Sequence, residues 1–110
     1  MGRYITETGT ASPTVREISG AYNAEVNDRI LADTSGGAFT VTLPANASLL
    51  VNDTIQIIDI AGSFGSNAVT LDRNGSLIQG LAENLDVDFN RATITLMYSG
   101  GSYGWIVIGT

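Results

Sequence analysis

Short runs in which every second residue is apolar dominate the chain from residue 28 onward. In the clearest run, Phe39, Val41 and Leu43 alternate with Thr40 and Thr42. Successive side chains of a β-strand point to opposite faces, so this alternation is typical of a strand with one buried face. Similar runs occupy residues 29–32, 53–60, 69–71, 91–98 and 103–108. The sequence therefore predicts an all-β fold.

The glycine-rich turns between these runs predict how the strands connect. Residues 34–37 read Thr-Ser-Gly-Gly, and glycine tolerates the positive φ that a tight hairpin needs. A chain of 110 residues has the length of one domain. We expect a small antiparallel β-sandwich or compact barrel over residues 14–110, preceded by a short N-terminal arm, residues 1–13. The arm is either ordered only against a neighbour or a frayed terminus.

Three features refine this fold prediction. Residues 14–26 carry apolar residues near helical spacing, but Gly20 interrupts such a helix, so a short strand near residues 14–19 is preferred. The run 53–60 is apolar on both faces towards its end, which predicts a central strand. A weak echo relates residues 27–43 to residues 52–71, in the order strand, glycine-rich turn, aromatic residue, strand. Its period is too irregular to indicate a solenoid.

The charged residues exclude several classes of chemistry. The chain has five arginines, no lysine, histidine or cysteine, and a formal net charge of −6. Disulfides, thiolate metal sites and cysteine nucleophiles are therefore absent, as are the usual histidine base and lysine Schiff bases. The acidic balance opposes nucleic-acid binding, and no apolar run approaches the roughly 20 residues of a membrane span. We expect no enzyme, no cofactor, and no nucleic-acid or membrane partner.

The carboxylates have both structural and functional interpretations. Asp33, Asp59 and Asp72 each stand beside a turn, where an aspartate usually accepts hydrogen bonds from turn amides. A carboxylate pair for glycoside hydrolysis would use the same residue type, but the spacing selects no pair. Asp86 and Asp88 would share one strand face and begin a hard-cation site, which needs about six oxygens or more. We prefer the alternative, a solvated strand edge, and expect no metal site.

The aromatic residues near the C-terminus also allow two interpretations. Tyr98, Tyr103 and Trp105 surround the last predicted turn. If exposed, they would form a sugar-stacking platform or a protein-binding hot spot, whereas core packing is the more frequent fate. Ile106 and Ile108 lie on the strand face opposite Trp105. An exposed apolar face there would indicate a subunit contact, and a two-sheet core is the alternative.

An ordered series of short motifs extends over residues 28–108. The longest is ILADTSGGAFTVTLP at residues 30–44, followed by NDTI (52–55), DIAGSF (59–64), DRNG (72–75), IQG (78–80) and YSGGSYGW (98–105). This series resembles a small β-domain of tailed-phage virion structural proteins, which occurs in fibres, tail proteins and capsid-attached proteins. Asn52 departs from the pattern, because glycine often stands there. The resemblance implies a small β-domain that acts as a trimer in a phage particle.

The resemblance also implies a function without catalysis. Because the module makes up nearly the whole chain, we expect a capsid decoration (cement) protein of the virion, on the head rather than the tail. It would self-associate as a homotrimer and dock on other virion proteins such as the major capsid protein. The expected contact residues are Tyr4, Ile5, Tyr103, Trp105, Ile106 and Ile108. The alternative is a tail-fibre or tail accessory module that binds host-surface carbohydrate through exposed aromatic residues.

Overall fold

The computed structural model describes residues 13–110, and strands are its main elements. Within this range there are nine strands and one short 3-10 turn, Asn46–Ser48. The strands are β1 (Thr14–Ile18), β2 (Tyr22–Asn23), β3 (Asp28–Ala32), β4 (Phe39–Thr42), β5 (Thr54–Asp59), β6 (Val69–Asp72), β7 (Leu85–Val87), β8 (Thr93–Tyr98) and β9 (Trp105–Gly109). The all-β prediction is confirmed for the described residues, including the strand preferred over a helix at its N-terminal end.

The strands form two mixed sheets instead of the predicted antiparallel ones. A five-stranded sheet has the order β1-β3-β5-β8-β9, and a four-stranded sheet has the order β2-β4-β6-β7. From β1 to β6 the chain alternates between the two sheets, so each consecutive pair of strands forms one coil. The three coils stack in parallel. Only the pairs β5–β8, β6–β7 and β8–β9 are antiparallel, so the antiparallel prediction was wrong for the first half of the domain.

The reason for this error lies in the turn at residues 34–37. It connects β3 to β4, which belong to different sheets, and so it is a corner and not a hairpin. Thr34 is fully buried in this corner. Its hydroxyl lies 2.8 Å from the Ser63 hydroxyl of the next coil, and its carbonyl accepts a hydrogen bond from the Asn67 amide. Glycine serves a corner as well as a hairpin, so the turn composition alone did not distinguish them.

The internal echo corresponds to two stacked coils, although its spacing argued against a solenoid. The echo aligned Ile30 with Ile55, whereas the structure pairs Ile30 with Ile57. On the other sheet the structure pairs Val41 with Leu71, again two residues beyond the match that the echo suggested. A shift of two residues keeps the same strand face, so the buried pattern survives. The period is irregular because the loops of successive coils differ in length.

The inward faces of the two sheets share one hydrophobic core. Ile30, Ile57 and Leu96 of the five-stranded sheet belong to the same buried cluster as Val41 and Leu71 of the four-stranded sheet. Within residues 13–110 no ladder of paired strands joins the two sheets, so the barrel alternative is not found. The arrangement is that of a small sandwich. The strand β5 lies at the centre of its sheet, as its two apolar faces predicted.

Asp59 fastens the end of β5 to two loops. Its side chain is buried and accepts hydrogen bonds from the backbone N–H groups of Gly62, Ser63, Phe64 and Arg91, at 2.8–3.1 Å. Burial alone would raise the pKa of this carboxyl group, but the four donors outweigh it and hold the pKa below its ordinary value. The turn role predicted for Asp59 is therefore confirmed, and it extends to the loop before β8.

Replacing Asp59 with alanine removes the shared acceptor of four backbone N–H groups. We expect the free energy of unfolding to fall by about 2–4 kcal/mol, because at least the Phe64 N–H is left buried without a partner. Urea denaturation followed by circular dichroism measures this change. Asp86→Asn, at an exposed position, is the matched control and is expected to stay within about 0.5 kcal/mol.

The same aspartate predicts a pH dependence. Because its pKa is lowered in the folded state, its stabilisation is present at neutral pH and is lost as the pH falls below about 4, through the folded pKa. In Asp59→Asn this part of the acid destabilisation is absent. If the unfolding free energies of the wild type and Asp59→Asn fall equally steeply with acid, the assignment is contradicted.

Candidate functional site: the outer face of the five-stranded sheet

The two sheets differ in the side chains that point away from the core. We call the corresponding side of the five-stranded sheet the outer face. Strand parity and register place on it Val15, Glu17, Arg29, Leu31, Thr54, Gln56, Ile58, Thr93, Thr95, Met97, Ile106 and Ile108. Half of these side chains are apolar. The corresponding positions of the four-stranded sheet are all polar, namely Asn23, Thr40, Thr42, Thr70, Asp72 and Asp86.

This difference makes the outer face the candidate contact surface. A sheet face in water normally carries polar residues, and the four-stranded sheet follows that rule. On the outer face, apolar side chains occur at both edges, where Val15 is 57% exposed and Ile108 is 52% exposed. Between them, Ile58 and Met97 are only half-buried. Exposed apolar side chains on an otherwise polar sheet face favour an interaction site.

The outer face carries two charges of opposite sign. Arg29 and Glu17 are exposed on the neighbouring strands β3 and β1, and neither has a hydrogen bond or ion pair to any residue from 13 to 110. The other arginines of this range are all engaged. Arg16, for example, faces inward and donates to Asp28 at 3.4 Å. The outer face therefore offers a free cation and a free anion to a partner.

A groove of about 440 Å³ lies at the end of the outer face next to Glu17. Its apolar lining includes Ile18, Leu31, Ile60 and Ala61, and its polar lining is Glu17, Ser19 and Asp33. The Asp33 carboxylate accepts hydrogen bonds from the hydroxyl and the N–H of Ser35, and these lower its pKa. The groove therefore combines an apolar lining with two carboxylates, which suits a cationic group on an alkyl stem.

The structure separates the predicted contact residues. Ile106 and Ile108 lie on the outer face, as expected. Tyr103 lies in the β8–β9 turn and is 66% exposed, with its ring beside Gly80. The predicted residues Tyr4 and Ile5 fall outside the described range. Their proposed role stays a prediction.

The exposure expected for Trp105 was wrong. Its side chain is fully buried and packs edge-on against Tyr98, with ring centroids 5.5 Å apart. Trp105 pairs with Tyr98 across the β8–β9 ladder, so both point to the inner face. The core interpretation is correct for these two residues. An exposed platform of Tyr103 and Trp105 is therefore not formed.

The edge of β9 that faces away from β8 is partly hydrogen-bonded to Leu77 and Gln79 of the same chain. The Trp105 N–H donates to the Leu77 carbonyl, and the Gln79 N–H donates to the Trp105 carbonyl. The Gln79 side chain then accepts a hydrogen bond from the Val107 N–H at 3.1 Å. Gln79 adopts a positive φ of 53°, which is unusual for a residue with a side chain. These contacts occupy edge groups that would otherwise invite another strand.

Two of the other carboxylates considered in the sequence, Asp72 and Asp86, make local hydrogen bonds. Asp72 accepts a hydrogen bond from the Asn74 N–H, as predicted for a turn aspartate. Asp86 lies on β7, the edge strand of its sheet, and accepts a hydrogen bond from the Thr70 hydroxyl. Within residues 13–110 no three acidic side chains gather in a way that could hold a metal ion. In the same range, no helix has the length and apolar character to span a membrane.

Sequence reasoning missed several outer-face residues. Leu31, Ile58 and Met97 each stand next to a buried residue of the same strand, so these strands are apolar on both faces. That signal was interpreted only as a mark of a central strand. Val15, Glu17 and Arg29 carried no local signal, because their meeting depends on the parallel β1–β3 register.

The sequence was compared with protein-family models and with curated proteins. No family model matches the chain, and no curated protein matches it. The resemblance to phage virion domains therefore depends on the motif series alone.

The positions of Trp105 and Ile108 predict losses of stability of very different size. Trp105→Ala opens a large cavity in the core, and we expect a loss of about 3–5 kcal/mol of unfolding free energy. Ile108→Ala changes an exposed side chain of the same strand, and we expect it to cost less than about 1 kcal/mol of unfolding free energy. Urea denaturation followed by circular dichroism compares both variants. Similar losses in the two variants would contradict the assigned strand parity.

Proposed function

We propose that this protein is a non-enzymatic structural component of a phage particle, a capsid decoration (cement) protein that self-associates and docks on the major capsid protein. Two observations support the proposal. The first is the ordered motif series over residues 28–108, which resembles virion domains. The second, which carries the docking mechanism, is the contrast between the half-apolar outer face and the polar face of the four-stranded sheet. A protein that covers a particle needs one contact face and one solvent face.

The charge of the chain is compatible with this role. A decoration protein stays soluble before assembly and does not compete for the packaged DNA. A net charge of −6 favours solubility and repels nucleic acid. The covered β9 edge also limits uncontrolled strand pairing between copies. The protein can therefore accumulate without aggregating and bind through its outer face.

The N-terminal segment is the second element of the proposed docking mechanism. It joins the domain at Pro13, directly before β1, an edge strand of the outer face. Tyr4 lies nine residues before Pro13, and an extended segment of that length spans up to about 30 Å. Five strands span about 19 Å from first to last. A segment of that length is therefore long enough to reach beyond the sheet to a neighbouring subunit.

The proposal predicts the amount of this protein in particles. Quantitative mass spectrometry of purified particles of the source phage gives its copy number relative to the major capsid protein. We expect a ratio near one, which places the protein on the head. A ratio of a few per cent would instead favour a tail location. Complete absence from the particles would overturn the virion assignment.

A variant lacking residues 2–12 tests the docking role of the segment in the same experiment. We expect circular dichroism and urea denaturation to show an intact fold, while attachment to particles is lost. Ile108→Asp, on the outer face, tests the sheet in the same way, and Thr40→Asp on the other sheet is its control. If the truncated protein attaches normally, the segment has no docking role.

The second candidate, a tail accessory module that binds carbohydrate, has one supporting observation. Tyr103 is the exposed aromatic side chain of the β8–β9 turn, and its ring lies beside Gly80, where a larger residue would displace it. This candidate predicts binding on a glycan array that Tyr103→Ala abolishes and Tyr22→Phe preserves. Trp105 is buried, so tryptophan fluorescence is a poor reporter here. Absence of any saccharide signal would eliminate this candidate.

A further inference from the structure

We infer that the outer face binds the outer face of a second copy about a two-fold axis, with Arg29 of each copy entering the groove beside Glu17 and Asp33 of the other. This inference builds on the proposed self-association and names the partner of the outer face before docking, since the dimer and the docked protein use the same face and exclude each other. It does not require the particle, because the contact uses only residues of this chain.

The first argument is the composition of the outer face. Six of its twelve side chains are apolar, whereas none of the six corresponding side chains of the other sheet is. Both sheets belong to the same small domain, so the polar sheet is an internal control for a face left in water. The hydrogen bond between Gln56 and Thr95 at 3.0 Å crosses the middle of the outer face. This hydrogen bond satisfies the polar side chains at the middle of the face, so they can be covered by a partner without being left unpaired.

The second argument is charge complementarity. The outer face carries one free cation, Arg29, and one free anion, Glu17, and both are exposed. A two-fold axis repeats every contact in reverse, so one cation and one anion per copy produce two matched ion pairs. A partner with a strongly charged surface would be matched better by charges of one sign. Self-association is the arrangement that satisfies both residues at once.

The third argument is the position of the groove relative to Arg29. Leu31 lines the groove and lies two residues along β3 from Arg29, which is about 6.6 Å. A two-fold axis that lies in the contact plane, perpendicular to β3, and passes over Ile30 places the Arg29 position of one copy over the Leu31 position of the other. It therefore brings Arg29 of one copy above Leu31 of the other, next to the Glu17 and Asp33 carboxylates. The alkyl stem of arginine suits the apolar lining, and its guanidinium suits the two carboxylates.

Charge reversal on the full-length chain tests this contact. Sedimentation equilibrium and light scattering are used to measure self-association of the wild type, Arg29→Glu, Glu17→Arg and the double variant. We expect a wild-type dimer, a loss of roughly tenfold or more in affinity for each single variant, and recovery in the double variant, which exchanges the two charges. A tenfold loss corresponds to about 1.4 kcal/mol.

The design separates specific pairing from net charge. Arg29→Glu makes the chain more acidic and Glu17→Arg makes it less acidic, so an effect of net charge alone would weaken one dimer and strengthen the other. Reciprocal pairing weakens both. Thr40→Glu, on the polar sheet face, adds a charge away from the contact and is expected to leave the affinity unchanged. Circular dichroism checks each fold, and Arg29→Ala replaces Arg29→Glu if the latter does not fold.

Several results would overturn the inference. These are a wild-type monomer, a wild-type trimer, or single variants with unchanged affinity. The result is independent of the copy number in particles. A monomer that still decorates particles would refute the two-fold contact and the self-association, but not the decoration role. A dimer with the predicted variant pattern that is absent from particles would support the two-fold contact and refute the decoration role.

Discussion

The hydrogen bonds to Asp59 join the two halves of the domain. Three of its four donors come from the corner after β5, and the fourth is the Arg91 N–H just before β8. The corner belongs to the stacked parallel coils, whereas β8 begins the antiparallel part of the five-stranded sheet. One buried carboxylate therefore ties the corner after β5 to the start of β8, the strand that pairs with β5.

The sequence predicts local structure in this chain better than it predicts topology. The alternating pattern predicts that Val41 is buried, and the turn position of Asp59 predicts that it accepts hydrogen bonds from turn amides. Both predictions succeed because strand parity and turn capping depend on neighbours in the chain. The corner at residues 34–37 was misassigned, since the pairing of β3 with β5 is decided by packing of distant segments. The burial of Trp105 follows from its pairing with Tyr98, which requires the β8–β9 register.

The candidate site illustrates the same limit. Ile106 and Ile108 were identified from the apolar last strand. Parity determines the face of Ile106, whereas Ile108 lies at a register shift between β8 and β9, and its exposure of 52% is what places it outside the core. The charges Arg29 and Glu17 share the outer face of neighbouring strands because the parallel register pairs Val15 with Arg29 and Glu17 with Leu31. Each register shift of one residue would exchange the inner and outer faces. Function in such a domain therefore depends on register as much as on residue type.

The edges of the five-stranded sheet show how such a chain can associate without aggregating. At β9 the segment around Gln79 occupies the backbone groups of Trp105 and the Val107 N–H, so these groups cannot pair with another strand. Association is then left to side chains, whose fit depends on shape and charge. The chain has no lysine to protect its edges, and its arginines are mostly engaged internally. Within residues 13–110 the free arginine is Arg29, and its proposed pairing with the carboxylates of a second copy would give selectivity, because a mismatched copy would leave both charges unpaired.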